Sequence, residues 1–239
     1  MSIWSQIGKL ASRVSSSARS GASDLLEALR TAFAGDPELR RRVAFSVAMI
    51  ALSAKMAKAD GVVTADEVQA FQQIFSVPPR EARNVARLFD IAKADIAGFE
   101  TYAASIARLC GTGRPNCGIL EDIIDGLFHI AKADGTLHER EGRFLHRIAE
   151  IFRISEDHYQ SILARHVNIG AADPYVVLGI ERGKSLDEVK KQYRKLVAAN
   201  HPDRLIARGV PEEFVRIATT RIAAINAAFE TIERSFRPA

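Results

Sequence analysis

Residues Ser185 to Arg204 read S-L-D-E-V-K-K-Q-Y-R-K-L-V-A-A-N-H-P-D-R. Ser185 and Glu188 stand at the spacing of a capping box, in which each satisfies a backbone donor of the other's residue. Leu186, Val189, Tyr193, Leu196 and Val197 recur at helical spacing and form one apolar face. Lys190, Lys191, Arg194 and Lys195 fall on the other side as a compact basic face. The helix is expected to stop near Asn200, because the residues before a proline are biased away from helical dihedrals. Pro202 fixes its own φ and donates no backbone hydrogen bond. His201-Pro202-Asp203 is therefore expected to be a stiff turn that sets an imidazole and a carboxylate beside a positive helix.

The flanks of this stretch carry a resemblance. Asp173-Pro174-Tyr175-Val176-Val177-Leu178-Gly179-Ile180 is similar to the opening D-Y-Y-x-x-L-G-V of the J domain, the module of DnaJ-type co-chaperones. Tyr193-Arg194-Lys195-Leu196 is similar to its Y-R-K-L, and His201-Pro202-Asp203 matches its signature tripeptide. Ile222, Ile225, Ala228, Phe229 and Ile232 resemble its closing helix. A lone H-P-D is a weak signal; four elements in the right order are specific. The resemblance implies that the basic helix and the tripeptide dock on a DnaK-type chaperone ATPase and stimulate its hydrolysis of ATP. By position, His201, Pro202, Asp203, Lys190, Lys191, Arg194, Lys195 and Arg204 carry that role.

Working toward the N-terminus, the 239-residue chain is 47% hydrophobic and 26% charged, with aromatics at 7% and a formal net charge of +4. This is an ordinary globular balance, and the basic excess is too small for a nucleic-acid arm. Gly35-Asp36-Pro37-Glu38 is a helix start, with Asp36 as cap and Pro37 at the first position. From there to about His166 helix follows helix, broken at glycine and proline clusters, with no period-two stretch. One motif occurs twice: Ala57-Lys58-Ala59-Asp60-Gly61 through Glu67, and Ala131-Lys132-Ala133-Asp134-Gly135 through Glu141, offset by 74 residues. A repeated helix–loop–helix predicts two halves related by a pseudo-two-fold.

This A-K-A-D-G motif resembles that of the TerB-like domain, an all-helical module named for tellurite-resistance proteins. A TerB-like domain followed by a J domain resembles the order of the DjlA co-chaperone family. That family carries an N-terminal membrane-spanning segment, and no such segment is expected here. The fold class expected is all-α: a TerB-like helical bundle with an internal pseudo-two-fold repeat, then a small helical J domain. The limits expected are a leader and linker over residues 1–35, the TerB-like domain over 36–166, a linker over 167–172 and the J domain over 173–239.

In the leader, Ile3, Trp4, Ile7, Leu10, Ala11 and Val14 share one helical face. Such a face suits an anionic membrane surface or the protein's own interior; only Lys9 and Arg13 favour the first, and stable anchoring takes more than one signal. Peripheral membrane contact through residues 2–14 is the alternative carried forward. No run of about 20 apolar residues encodes a spanning helix. The two cysteines, Cys110 and Cys117, form no disulfide framework and are expected as free thiols. The location expected is cytoplasmic, with the inner membrane face as the peripheral alternative.

Each repeat offers an Asp-Gly turn and a glutamate seven residues on, so Asp60, Glu67, Asp134 and Glu141 are candidate ligands for a hard cation. A structural reading competes: Thr64 with Glu67, and more weakly His138 with Glu141, form capping boxes, while the aspartates bond their own turns. Val62 and Val63 stand where a calcium loop would need ligands, so no metal is favoured and no cofactor is expected. His129, His138 and His146 do not form an i, i+4 pair. No phosphate loop or nucleophile elbow occurs, and the chain is expected not to be an enzyme. The expected function is that of a co-chaperone of a DnaK-type ATPase, with the TerB-like domain as a targeting or client-binding module for an unidentified client. The alternatives are a metal-responsive TerB-like scaffold that recruits chaperone secondarily, and nucleic-acid binding through the basic helix, which has little aromatic support.

Overall fold

A computed structural model describes residues 3–15, 36–60, 77–94, 98–108, 115–133, 135–166 and 172–236. Every regular element among them is helical. The expected helix over Asp24–Phe33, the helix after the first repeat copy and linker residues 167–171 lie outside the described residues.

The hub is α2 (Pro37–Asp60). It starts where expected: Asp36 Oδ1 accepts the N–H groups of Glu38 and Leu39, at 3.1 and 3.0 Å, and Pro37 takes a position whose missing donor costs nothing. Every residue from Val43 to Ala57 is buried. A helix hidden on all sides must satisfy its polar groups internally: the Ser46 and Ser53 hydroxyls donate to the carbonyls of Arg42 and Met49 one turn back. Around it pack α1 (Ile3–Ser15), α3 (Ala82–Ala94), α4 (Phe99–Ala107), α5 (Gly118–Ala131) and α6 (Glu139–Ile151). Of the leader face that also suited a membrane, Ile3, Trp4 and Ile7 are turned inward and buried in the main core. Cys117, just before α5, is disulfide-bonded; the expectation of a free thiol, drawn from cysteine count alone, is corrected. Gly126 lets α5 approach closely, since a Cβ there would meet Met49 Cε at 2.8 Å and Ile217 Cδ1 at 3.4 Å.

The last helix of this half is α7 (Glu156–His166). Beyond it, α8 (Pro174–Leu178) is capped by Asp173, whose side chain accepts from Tyr175 N–H, and ends at Gly179 in the left-handed region, φ 58°. Then come α9 (Leu186–Ala199), α10 (Pro202–Arg208) and α11 (Arg216–Ser235), with a short 3-10 turn, Glu212–Phe214, before the last. Val177, Leu178, Val189, Ile225, Ala228 and Ile232 make a small core of their own. Tyr193 stacks on Phe229 with ring centroids 4.2 Å apart, and its hydroxyl donates to Asn226 Oδ1 at 3.1 Å.

The segment between α9 and α11 behaves differently. Leu205, Val210, Phe214, Ile217 and Ala218 belong to the main core rather than the small one. Phe214 meets Phe45 of α2 edge to face at 4.9 Å and lies 6.3 Å from the ring of Trp4. Gly209, at φ 101°, closes α10 so tightly on α2 that a Cβ would sit 2.8 Å from Arg41 Cβ.

Candidate functional site

The helix that carries the basic face begins as its sequence predicts. Glu188 Oε2 accepts Ser185 N–H at 2.9 Å, and Ser185 Oγ accepts Glu188 N–H at 3.3 Å. The backbone and side-chain bonds from Ser185 hold the Glu188 carboxyl below its ordinary range. Along α9, Lys191, Arg194 and Lys195 are exposed. Lys190 is half-buried, its Nζ 3.8 Å from Glu233 Oε1 on α11. α9 stops at Ala199, with Asn200 as its C-cap.

The tripeptide is more than the turn expected. His201 is the N-cap of α10, Pro202 its first residue and Asp203 its second. The rule that ends one helix before a proline also starts the next, because the proline ring is preset for the first helical position. His201 Nδ1 accepts Asp203 N–H at 3.3 Å and lies 3.5 Å from Asp203 Oδ2. Both side chains face solvent, at 56% and 87% exposure, and Arg204 beside them is exposed too. With Tyr193, Arg194, Val197, Ala198 and Arg204 they line an open groove of about 460 Å³. Its floor is apolar and its rim bears two cations and a carboxylate, a surface suited to an acidic protein partner.

Behind the groove lies a buried ionic network joining α5 to α10 and α11. Arg221 donates from Nη1 to Asp122 Oδ1 at 2.8 Å and to Asn200 Oδ1 at 2.7 Å, and its Nε lies 3.1 Å from Asp125 Oδ2. Arg208 Nη2 lies 3.1 and 2.9 Å from the two Asp122 oxygens, and its Nη1 donates to the Ala199 carbonyl at 3.1 Å. Burial alone would raise the Asp125 carboxyl; Arg221 and His166 override it and hold it well below the usual range. Burial likewise opposes the Arg221 charge, and Asp125 with Asp122 pushes its pKa up instead.

Two family models match the chain: "Tellurite resistance protein TerB" over residues 46–164 and "DnaJ domain" over residues 173–235. A co-chaperone protein DjlA from Photobacterium profundum is 30% identical over 220 residues, covering 81% of this chain and 78% of the relative. The chain belongs to the DjlA co-chaperone family. The DjlA of Vibrio cholerae is 27% identical over 236 residues, covering 84% and 81%, and that of Coxiella burnetii is 28% identical over 199 residues, covering 75% and 73%. No solved structure matches. The DjlA family is a family of co-chaperones, not enzymes, and its J domain makes a DnaK-type chaperone the partner. Among the described residues no helix is long and apolar enough to cross a membrane.

Of the residues singled out in this DjlA-like sequence, His201, Asp203, Arg194 and Arg204 come together around the groove, with Pro202 between the first two in the chain and Lys191 and Lys195 on the same helix as Arg194. The candidate cation ligands do not gain such support. The side chains of Asp60, Glu67 and Asp134 lie outside the described residues. Glu141 is buried and accepts His138 N–H at 2.9 Å, so its carboxylate caps α6. Sequence reasoning passed over the i, i+4 pair Asp125 and His129, which with His166 brings three ligand-type atoms within 4.8 Å of one another. That cluster already faces Arg221, while Arg165 and Lys132 add positive charge beside it, a poor setting for a further cation.

Proposed function

We propose that α9 and the tripeptide form the working surface of this co-chaperone. Lys190, Lys191, Arg194, Lys195 and Arg204 meet an acidic face of the DnaK-type ATPase, and His201-Pro202-Asp203 triggers its ATP hydrolysis. What carries the reading is the exposed tripeptide at the end of an exposed basic helix, over a groove whose floor is apolar. Charge complementarity speeds encounter and sets orientation, while the fixed tripeptide supplies the signal. The test is a chaperone ATPase assay with the full chain. His201→Gln is expected to abolish stimulation while leaving the chain folded, with melting lowered only by the lost α10 cap, since the side chain is more than half exposed. Reversing Lys191 and Arg194 is expected to raise the half-saturating concentration, most of all through slower encounter at low salt. Stimulation by the His201 variant equal to that of the parent would remove the reading.

The same reading assigns residues 36–166 to the TerB-like domain and 173–239 to the J domain, with the TerB-like part selecting the client. The 74-residue offset of the two A-K-A-D-G copies supports a pseudo-two-fold origin for that part. A cytoplasmic working site follows from the need to reach a DnaK-type partner. Membrane contact by residues 2–14 would require α1 to leave the core, against the burial of Ile3, Trp4 and Ile7.

A further inference from the structure

His201 and Asp203 are exposed, yet the chain is anchored on both sides of the tripeptide. On the upstream side Asn200 is 7% exposed, and its Nδ2 donates to the Leu196 carbonyl at 2.8 Å. The last carbonyls of a helix have no partner within it. Here Leu196 O takes both the Asn200 amide and its side chain, and Ala199 O takes Arg208 Nη1. Downstream, Leu205 is buried in the main core two residues after Asp203. Between these anchors, among the described residues, the side chains of His201 and Asp203 bond only within the tripeptide. The tripeptide's own bonds, with the His201 carbonyl accepting the N–H groups of Arg204 and Leu205, fix it to α10, but they do not determine which way that unit points.

What determines it lies on α5. Arg221 reaches from Asn200 to Asp122 and Asp125, and Arg208 reaches from Ala199 to Asp122. We propose that Asn200, Arg208 and Arg221 are positioning residues, through which the α5 carboxylates of the TerB-like part aim the His201-Pro202-Asp203 tripeptide. The chemistry suits an aiming device better than a glue. A buried ion pair adds little stability over a well-packed apolar replacement, but planar guanidinium forks on carboxylates admit few geometries. Arg221 sits at 5% exposure on the apolar face of α11, between Ile217 and Ile225, where an aliphatic side chain would pack with less demand. The J domain is thereby held at one angle to the TerB-like part, and the angle is read out at the residue next to His201.

This inference rests on the proposal that the tripeptide stimulates the ATPase, and the test separates the two. The full chain is compared with Arg208→Ala, Arg208→Lys, Asn200→Ala and His201→Gln. Each is titrated into a DnaK-type ATPase, and backbone amide exchange is followed at Asp203 to Leu205. Arg208→Ala and Asn200→Ala are expected to lower the saturating stimulation about tenfold, as a small misplacement of a working group does. The half-saturating concentration should move less than about threefold, because the α9 cations are untouched. Arg208→Lys should restore part of the loss, keeping a charge on Asp122 without the second contact to the Ala199 carbonyl. The amides from Asp203 to Leu205 should exchange faster in both alanine variants while the α2 amides keep their protection. Should one alanine variant fail to fold, the other, with the lysine variant, still decides. Unchanged saturating stimulation in folded variants overturns the inference; so does a loss confined to the half-saturating concentration. If the parent does not stimulate, or His201→Gln matches it, the underlying reading falls. Amide exchange then tests the positioning alone, and unchanged exchange at Asp203 to Leu205 refutes it.

Discussion

His129 on α5 faces Asp125 on its own helix and His166 from α7, with Arg221 and Lys132 nearby. Burial pushes its imidazole down to about 4 from an ordinary 6.5, outweighing the pull of Asp125. The folded protein therefore holds it neutral, while the unfolded chain takes up a proton below pH 6.5. Its contribution to stability is complete above that pH and is lost as pH falls toward about 4. The span corresponds to roughly 3 kcal/mol at most. His129→Gln, which cannot titrate, is expected to flatten the fall of melting temperature across that window; an unchanged slope would show that another group controls it. Much at this scale is legible in the sequence. His201, Asp203 and the exposed cations of α9 lie where their motif put them. Arg221 is legible as a core-facing position, four residues from both Ile217 and Ile225, but not in its partners. Asp122 and Asp125 lie about a hundred residues away in the chain, and no local rule joins them to it.

Local rules serve the elements well where the determinants are local. The Ser185–Glu188 box and the Asp36 cap with Pro37 both start helices at the expected residues. They serve less well for α10, because Pro202 reads locally only as a stop. Its role as a start depends on the residues downstream: Leu205, Val210 and Phe214 must find a core to enter, and that core belongs to the other half. Glycines show the same division. Gly209 combines φ 101° with an approach so close that an added Cβ would lie 2.8 Å from Arg41 Cβ, whereas a Cβ on Gly142 within α6 would meet nothing within 4 Å. Gly209→Ala is accordingly expected to destabilise by more than about 1 kcal/mol, and Gly142→Ala to stabilise by roughly 0.5–1 kcal/mol. Urea unfolding of the two variants beside the parent checks both signs. The leader helix is ambiguous in sequence for a different reason: a face bearing Ile3, Trp4 and Ile7 reads alike whether lipid or protein covers it.

At the scale of the molecule, the J domain has a small core of its own, but its middle segment is built into the main one. A fragment of residues 172–239 would bare Leu205, Val210, Phe214 and Ile217 and leave Arg221 without its carboxylates. That fragment is expected to bind a hydrophobic dye and to melt broadly, while the full chain melts in one transition by circular dichroism. A sharply melting, dye-free fragment would show that the small core suffices. The all-helical architecture is legible from periodicity and breaks; the fusion of the two parts is not, since it depends on contacts between residues far apart in the chain. The same fusion gives the protein an optical property. Trp4 is its one tryptophan, and its ring lies 6.3 Å from Phe214, in the segment that follows the His201-Pro202-Asp203 tripeptide. Its indole emission, blue-shifted while buried there, would redden if that segment lifted away, so chaperone engagement could be watched in real time without attaching a label, provided the partner is chosen without tryptophan.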